Sequence, residues 1–504
     1  MRLTAIVDLN IKSFAGGIIT LFSSGSKNIV YDKYPDSGNW YATQRPGINV
    51  LESPIGPDVN GRGVYYWNRV GTKYLVNNGT VYQSSYGGPQ MAISSGADHV
   101  SIFEIGNYLV IIDQENNEGW TIDSSTSTVI SQIVDPNFPP NQGFTLARGG
   151  AVLNQKLYVI TTDGDIYESN IQDPTTWGVL DFINAEVSPD DGVYLGEHHQ
   201  HIVAIGAQSL EFFYDAKNPT GSTLAARTDI DFSIGAVQES SFWEESDLIF
   251  WVGFTSSGGV GVYSLQNMVP NKISSPSIDS FIGSAITVDK IRLMGSGFQV
   301  GGRIYYVLTL YNLLGDIQPL TTLVYELTSD RWYVWDVEQP GVEGFPLVSW
   351  TKASSTRLGE GILSDGSLVN PLDDNNPQDT VGSSTVFESD VFEVDVFTAT
   401  SASGNAIQIE IVTGPSDFGN RKTKFQTELW LVATPTKSAN TLTVETSDEA
   451  DDNWGPPRNM DTSNGHSELT RLGKFRQRNY RIKYQANEQY RLEGIETVEK
   501  QGVQ

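Results

Sequence analysis

The sequence predicts an all-β protein built on a β-propeller of six or seven blades, with a small C-terminal β-sandwich-like domain and an N-terminal arm. Three observations predict it. In the stretch 151–215, Leu157, Val159 and Thr161 alternate with Tyr158 and Ile160, as in a half-buried strand. Asp163-Gly164 then supplies a tight reversal, because both residues tolerate positive φ, and a second strand, 165–169, follows at once. Asp173-Pro174 next opens a loop that delivers Trp177, and another strand pair begins near His201. Secondly, this phrase recurs. The strands after the turns carry Tyr82, Trp120, Tyr167, Phe212, Tyr263, Tyr325 and Leu368, at intervals of 38, 47, 45, 51, 62 and 43 residues. Those intervals match a four-stranded propeller blade. Thirdly, no amphipathic helical stretch exceeds about two turns. A pair of β-sandwiches is the main rival.

Taken in order, residues 1–60 hold two strand candidates, 3–11 and 17–22, and a polar loop ending in the Arg45-Pro46-Gly47 turn. They read as an N-terminal arm and strand pair. The propeller is expected over 61–375, with strands at 64–67, 73–76, 80–83, 101–113 and 119–122 before the opening stretch. After it come 202–206, 209–214, 248–253, 261–265, 303–311, 322–327 and 361–368. The polar, turn-rich segment 373–384 marks a boundary. Strands at 391–398, 406–412, 424–433, 441–446, 471–484 and 490–498 then make a C-terminal all-β domain over 376–504.

Composition narrows the function. The 504 residues exceed one ordinary core, and 39% hydrophobic with 11% aromatic residues rules out general disorder. With no cysteine, disulfides, thiolate metal sites and cysteine nucleophiles are excluded. A net charge of −28 argues against wrapping nucleic acid by phosphate neutralisation, though not against a surface past which DNA slides. Residues 14–22 make a poor signal-peptide core, and no run has the ~20 apolar residues of a membrane helix, so a soluble protein is expected.

Several constellations invite chemistry, and each has a plainer reading. Glu197, His199 and His201 would share one strand face, but three alternate residues rarely converge on one ion, so a solvated edge is expected. Residues 447–454 resemble the S-x-D-x-G-x-x-W box of sialidase-type propellers, with Glu449 and Asp451 in the Asp and Gly positions. That box is a structural turn; a Ca²⁺ site through Asp448, Asp451 and Asp452 is the alternative. Carboxylate pairs such as Asp163 with Asp165 and Asp190 with Asp191 are expected by chance among 60 acids, and neighbours in a turn cannot flank a sugar. The glycine-rich run 256–261 lacks the helix a phosphate loop needs. No catalytic or metal residue is assigned, and no cofactor is expected. Arg471, Lys474, Arg476, Arg478, Arg481 and Lys483 form the basic cluster of an acidic chain. Lys474, Arg476 and Arg478 would share one strand face, and Arg481 and Lys483 another. It reads as a charged outer face or as a candidate subunit interface for an acidic partner, with direct DNA contact the least of the three.

Asp173-Pro174-Thr175-Thr176-Trp177, followed by Leu180-Asp181-Phe182 and Ala185-Glu186, resembles the signature of the packaged-DNA stabilisation (tail-nozzle or tail-hub) proteins of short-tailed bacteriophages. The run from Ile205 and Gly206 through Glu211 to Phe213, the loop from Asn218 to Ser222, Phe250 to Gly253, Gly261 to Tyr263 and the Arg45 turn are similar to it as well. So are 447–454 and 472–478, and the resemblance runs from about 45 to 498. It implies a virion tail protein, made in the host cytoplasm, that assembles as a homo-hexamer ring beneath the portal and adaptor. There it would close the DNA exit channel, stabilise packaged DNA passing its lumen without sequence-specific binding, and carry tail spikes or fibres. No membrane partner and no enzymatic activity are implied. The rivals are a propeller glycosidase and a receptor-binding fibre module, both acting on host surface polysaccharide.

Overall fold

The chain is seen in a computed structural model. It describes residues 3–7, 26–33, 40–52, 60–185, 190–245, 247–255, 258–287, 291–300, 302–312, 318–336, 344–345, 347–352, 359–363, 368–371, 378–380, 404–413, 422–448, 453–464 and 466–501.

Seven meander sheets follow one another along the chain as the blades of a propeller. Blade one is Gly61–Trp67, Thr72–Asn77, Thr80–Gln83 and Gln90–Ala92; blade two runs from Ser101–Ile105 to Ile130–Gln132. Blade three comprises Ala151–Leu153, Lys156–Ile160, Asp165–Asn170 and Asp173–Asn184. Blade four starts at Gly192–His198 and ends at Leu224–Phe232. In blade five the first strand is split into Ile234–Ala236 and Trp243–Glu245, both pairing with Leu248–Thr255. Blade six spans Ile291–Val300 to Arg331–Trp335. All seven spaced residues, Tyr82 to Leu368, fall in the third strand of their blade.

Alternation explains why the blades stack. In Tyr108–Asp113, Leu109 and Ile111 pack toward blade one, whereas Val110 and Ile112 pack toward blade three. Each blade is thus apolar on both faces, and a buried cluster fills each gap between neighbours.

The ring closes with a strand from the N-terminal region. Leu347–Lys352, Gly359–Leu363 and Leu368–Pro371 form the first three strands of blade seven, Ile48–Glu52 pairs antiparallel with the third as its fourth, and Gln378–Thr380 and Gly404–Ala406 continue the sheet beyond it. Blade seven then abuts blade one, where Tyr66 N–H donates to Thr351 Oγ1 at 2.8 Å and Val64, Leu75, Val348 and Ile362 share one core cluster. This ties together segments some 300 residues apart, so the ring cannot form until both are present.

Beyond the ring, two sheets pack as a sandwich. One holds Ile29–Lys33, Trp40–Gln44, Arg491–Gln501, Lys424–Thr434 and His466–Phe475; the other holds Gln408–Val412, Asn479–Gln485, Thr441–Ser447 and Arg458–Asp461. Leu3–Val7 adds to the first sheet along Arg491–Gln501. Leu429, Leu431, Leu442, Ile482 and Leu492 lie between them. The sandwich is continuous with blade six, because Lys27-Asn28 bonds on both sides. Lys27 N–H donates to Glu410 O at 2.8 Å, and Asn28 N–H donates to Val334 O at 2.9 Å. One apolar cluster therefore runs from Tyr305 and Trp335 of blade six to Leu429 and Ile495.

Four local expectations are corrected. The segment 101–113 is two strands, because Gly106, at φ +55°, turns the chain where a Cβ would meet Gln172 O at 2.8 Å. Asp173–Asn184, expected as a loop, is the outer strand of blade three: its backbone pairs with Asp165–Asn170 despite the Asp-Pro start. Residues 471–484 are likewise interrupted, by a turn at 476–478. Finally, a three-turn helix, Pro276–Thr287, joins blades five and six and accounts for the 62-residue interval. Its Ile278, Phe281, Ile282, Ala285 and Ile286 keep helical spacing and pack on blades five and six. β-Branched residues and Gly283 disguise the period. The strand candidate 17–22 and that at 391–398 lie outside the described residues.

Candidate functional site

The signature stretch is a structural clasp with an exposed knob. Asp173 accepts bonds from Thr175 N–H, Thr175 Oγ1 and Thr176 Oγ1 at 3.0, 2.5 and 2.8 Å. Burial acts to raise its pKa, but these threonine bonds outweigh burial and leave it below the usual carboxylate value. The turn so fixed points Trp177 inward, where it packs on Phe138 with ring centroids 5.1 Å apart. Its indole N–H donates to Pro174 O at 3.0 Å. Asn137 Nδ2 donates to Trp177 O, so the link between blades two and three is pinned to blade three's outer strand.

In that strand the register jumps from Ser169↔Trp177 to Tyr167↔Phe182, so residues 178–181 stand out from the sheet. Asp181 folds over Gly178, where a Cβ would meet Asp181 Oδ2 at 2.1 Å. The protrusion carries Val179 and Leu180 at 65% and 67% exposure, beside a 40%-exposed Phe182 that stacks on Tyr167. Glu186 lies outside the described residues. The next matched segment is also explained by local packing. Asp190 accepts Ser209 N–H and Ser209 Oγ at 3.0 and 2.9 Å, and at Gly206 a Cβ would meet Asp190 Oδ2 at 2.6 Å. Glu211 is buried in the strand Leu210–Asp215.

The six cations of the basic cluster divide into two groups, contrary to the two shared faces expected. Arg478 lies past the end of His466–Phe475 and turns inward to 2% exposure. Its guanidinium grips Asp448 at 2.6 and 2.9 Å, donates to Gln426 Oε1 and Leu472 O, and stacks 4.4 Å above the Phe475 ring. Arg481 bonds Glu445 at 2.5 Å and covers the Trp454 ring, and Lys483 lies 3.5 Å from the same carboxylate. Burial acts to raise the pKa of Glu445, but the Arg481 bond and the charges of Arg481 and Lys483 together outweigh it and leave the carboxyl below its usual value. Arg471, Lys474 and Arg476 are exposed. They are the part of the cluster left facing solvent, and sequence spacing did not separate them from the three internal cations.

Glu197, His199 and His201 do not share a strand face. His199 and Gln200, at φ +47° and +60°, form the tight turn joining Gly192–His198 to His201–Gly206. His201 Nε2 faces Arg227 at 3.2 Å, and His199 Nδ1 lies 3.6 Å from Asp247. Nearby Glu244 accepts the Tyr194 hydroxyl at 3.1 Å, and burial pushes its carboxyl up to about 8. Asp448 is taken by Arg478, and Asp451 and Asp452 lie outside the described residues. Among the described residues, no three His, Asp or Glu side chains group to hold a metal ion.

Among solved structures, the chain is similar to BamB from Moraxella catarrhalis, with 12% identity over 68% of this chain and 94% of that one at a TM-score of 0.35. It is also similar to the N-terminal domain of Nup159, with 8% identity over 68% of this chain and 97% of that one at a TM-score of 0.35. YCF48 bound to D1 peptide gives 15% identity over 65% of this chain and 97% of that one, at a TM-score of 0.37. These likenesses are too loose to bear on function. No curated protein sequence matches. One family model does match, over residues 31–309, from the strand Ile29–Lys33 into blade six. Spanning more than half of the chain, that match makes it a member of the family described as Bacteriophage P22 Gp10, beta-propeller, and so a phage structural protein and virion component.

Proposed function

We propose that the chain is a tail-nozzle subunit without enzymatic activity, which assembles as a hexameric ring below the portal and adaptor. There it closes the DNA exit channel, stabilises packaged DNA and carries spikes or fibres. The family match over residues 31–309 carries this reading. Two physical features support it. Six copies at −28 each would, if their acids turn to the lumen, repel phosphate and keep DNA mobile. Docking also needs adhesive patches on an otherwise charged surface. The exposed Arg471, Lys474 and Arg476 suit an acidic partner, and Val179 and Leu180 supply an apolar one.

The test is an add-back. Purified protein is mixed with DNA-filled heads that carry portal and adaptor but lack it, and DNA retention and particle images are scored. Heads that stop leaking and gain six-fold density below the adaptor support the proposal. A protein that ignores the heads but binds or cleaves host polysaccharide sinks it in favour of a fibre module or hydrolase.

A further inference from the structure

Ring closure gathers three arginines that are far apart in sequence. Arg62 is the second residue of blade one's first strand, and Arg292 the second of blade six's. Arg148, in the two-residue strand Arg148–Gly149 that leads into blade three, pairs in parallel with blade four. All three charges face His99, two residues before blade two. Burial first, then the three guanidiniums, hold His99 well below its ordinary pKa, so it is neutral.

The three arginines are not equally satisfied. Arg62 is saturated: Nε donates to Asp98 O, Nη1 to Asn78 O and Ser94 O, and Nη2 to Asp113 at 2.7 Å, with Glu115 at 3.5 Å. Arg292 pairs with Asp98 through Nη1 and approaches Ser240 Oγ through Nε at 3.5 Å. Arg148 is 2% exposed, yet among the described residues its one hydrogen bond is from Nη2 to His99 O at 2.7 Å. Its Nε is buried without a partner among those residues, as is His99 Nδ1. Asp98 and Glu239 offset the charge of Arg148 from a distance, but neither bonds it. A guanidinium buried on a single hydrogen bond is costly, because its remaining N–H groups have given up water. Solvent reaches the edge of the cluster, where the side chains of Arg292 and Asp98 are each 18% exposed.

We propose that this arginine cluster is a binding site for a small oxyanion of the inorganic phosphate class. Arg148 and Arg292 are its principal donors, and His99 Nδ1–H is a third, neutral one. Guanidinium forks match tetrahedral oxyanions through paired N–H bonds, which the compact ammonium of lysine does not reproduce. In a chain of net charge −28, such an anion is repelled at long range and held only by these local contacts. Binding therefore weakens little with added sodium chloride, unlike binding to an exposed basic face.

The full chain is titrated with sodium phosphate against sodium chloride at matched ionic strength, with melting temperature and ³¹P line width as readouts. Phosphate is expected to raise the melting temperature and to show a broadened line that sulfate sharpens again. Arg148→Gln and, separately, Arg292→Lys should weaken this binding at least about tenfold. The triple variant Arg471→Ser, Lys474→Ser, Arg476→Ser should keep it. No broadening by the unaltered protein at millimolar phosphate overturns the proposal. So does loss in the triple variant with retention in Arg292→Lys, which places the anion on the outer face. If Arg148→Gln fails to fold, the unaltered protein and Arg292→Lys still decide the outcome.

Discussion

Arg62 Nη2 lies 2.7 Å from Asp113 Oδ1, and both side chains are wholly buried. The pair joins blade one's first strand to the end of blade two's second strand, and Asn116 adds bonds to Asp113 at 3.2 and 2.9 Å. Removing one partner of a buried pair leaves a charge without compensation. Arg62→Met is therefore expected to destabilise the propeller by about 3–5 kcal/mol, whereas replacing both partners with apolar residues loses much less. Urea unfolding of Arg62→Met, Asp113→Leu and the double variant checks this: additive losses would show that the pair is not a unit.

Trp177 supports the outer strand of blade three through Phe138 and Pro174 O. Trp177→Ala is expected to cost about 3–5 kcal/mol locally, through the lost indole and the cavity it leaves. Hydrogen exchange should quicken in Asp173–Asn184 and the short helix Pro139–Gln142, with blades five and six unchanged. Exchange that rises evenly around the ring would contradict this local role.

Periodicity made the propeller legible, because each blade repeats one strand–turn–strand phrase and its third strand carries a large side chain such as Tyr82 or Tyr263. Helix 276–287 was hidden by β-branched residues whose propensity favours strands, and packing on Leu310 and Trp332 overrides it. The role of Ile48–Glu52 as the seventh blade's fourth strand was also hidden, since its partner is Leu368–Pro371. Sequence spacing placed Arg478 beside Arg476 on one strand face. The turn at 476–478 sends Arg478 inward to Asp448 instead, a long-range pairing without a local signal. Arg62, Arg148 and Arg292 were invisible for the same reason, because only closure of the ring brings them together.

Glu244 gives a pH dependence. Burial raises its carboxyl from 4.5 to about 8, with Glu197 and Asp247 adding repulsion and the Tyr194 hydroxyl and Glu197 N–H opposing. In the unfolded chain the group ionises near its ordinary value, while in the fold it stays protonated. The folded state thus loses stability as pH rises from about 4.5 to about 8, and nothing further above that. Glu244→Gln removes this dependence, so its advantage over the unaltered protein should grow across that window, reaching on the order of 4 kcal/mol by pH 8. Denaturation midpoints at pH 5 and pH 8 test it, and a constant offset between the two proteins would count against it.

The exposed and the internal cations of the C-terminal sandwich should separate assembly from stability. Arg471, Lys474 and Arg476 face solvent, so replacing all three with serine is expected to change stability by less than about 0.5 kcal/mol. The same variant should dock to adaptor-bearing heads more slowly and with a weaker salt dependence, because rim charges act mainly on association. Arg478→Ala strips Asp448 of its guanidinium partner, leaves Gln426 Oε1 with the Tyr480 hydroxyl alone, and should destabilise the sandwich by about 2–4 kcal/mol. Docking rates measured at low and high salt, beside urea midpoints for both variants, decide it. Docking that is unaffected by the triple variant would move the contact elsewhere, with the exposed Val179 and Leu180 of blade three the next surface to alter.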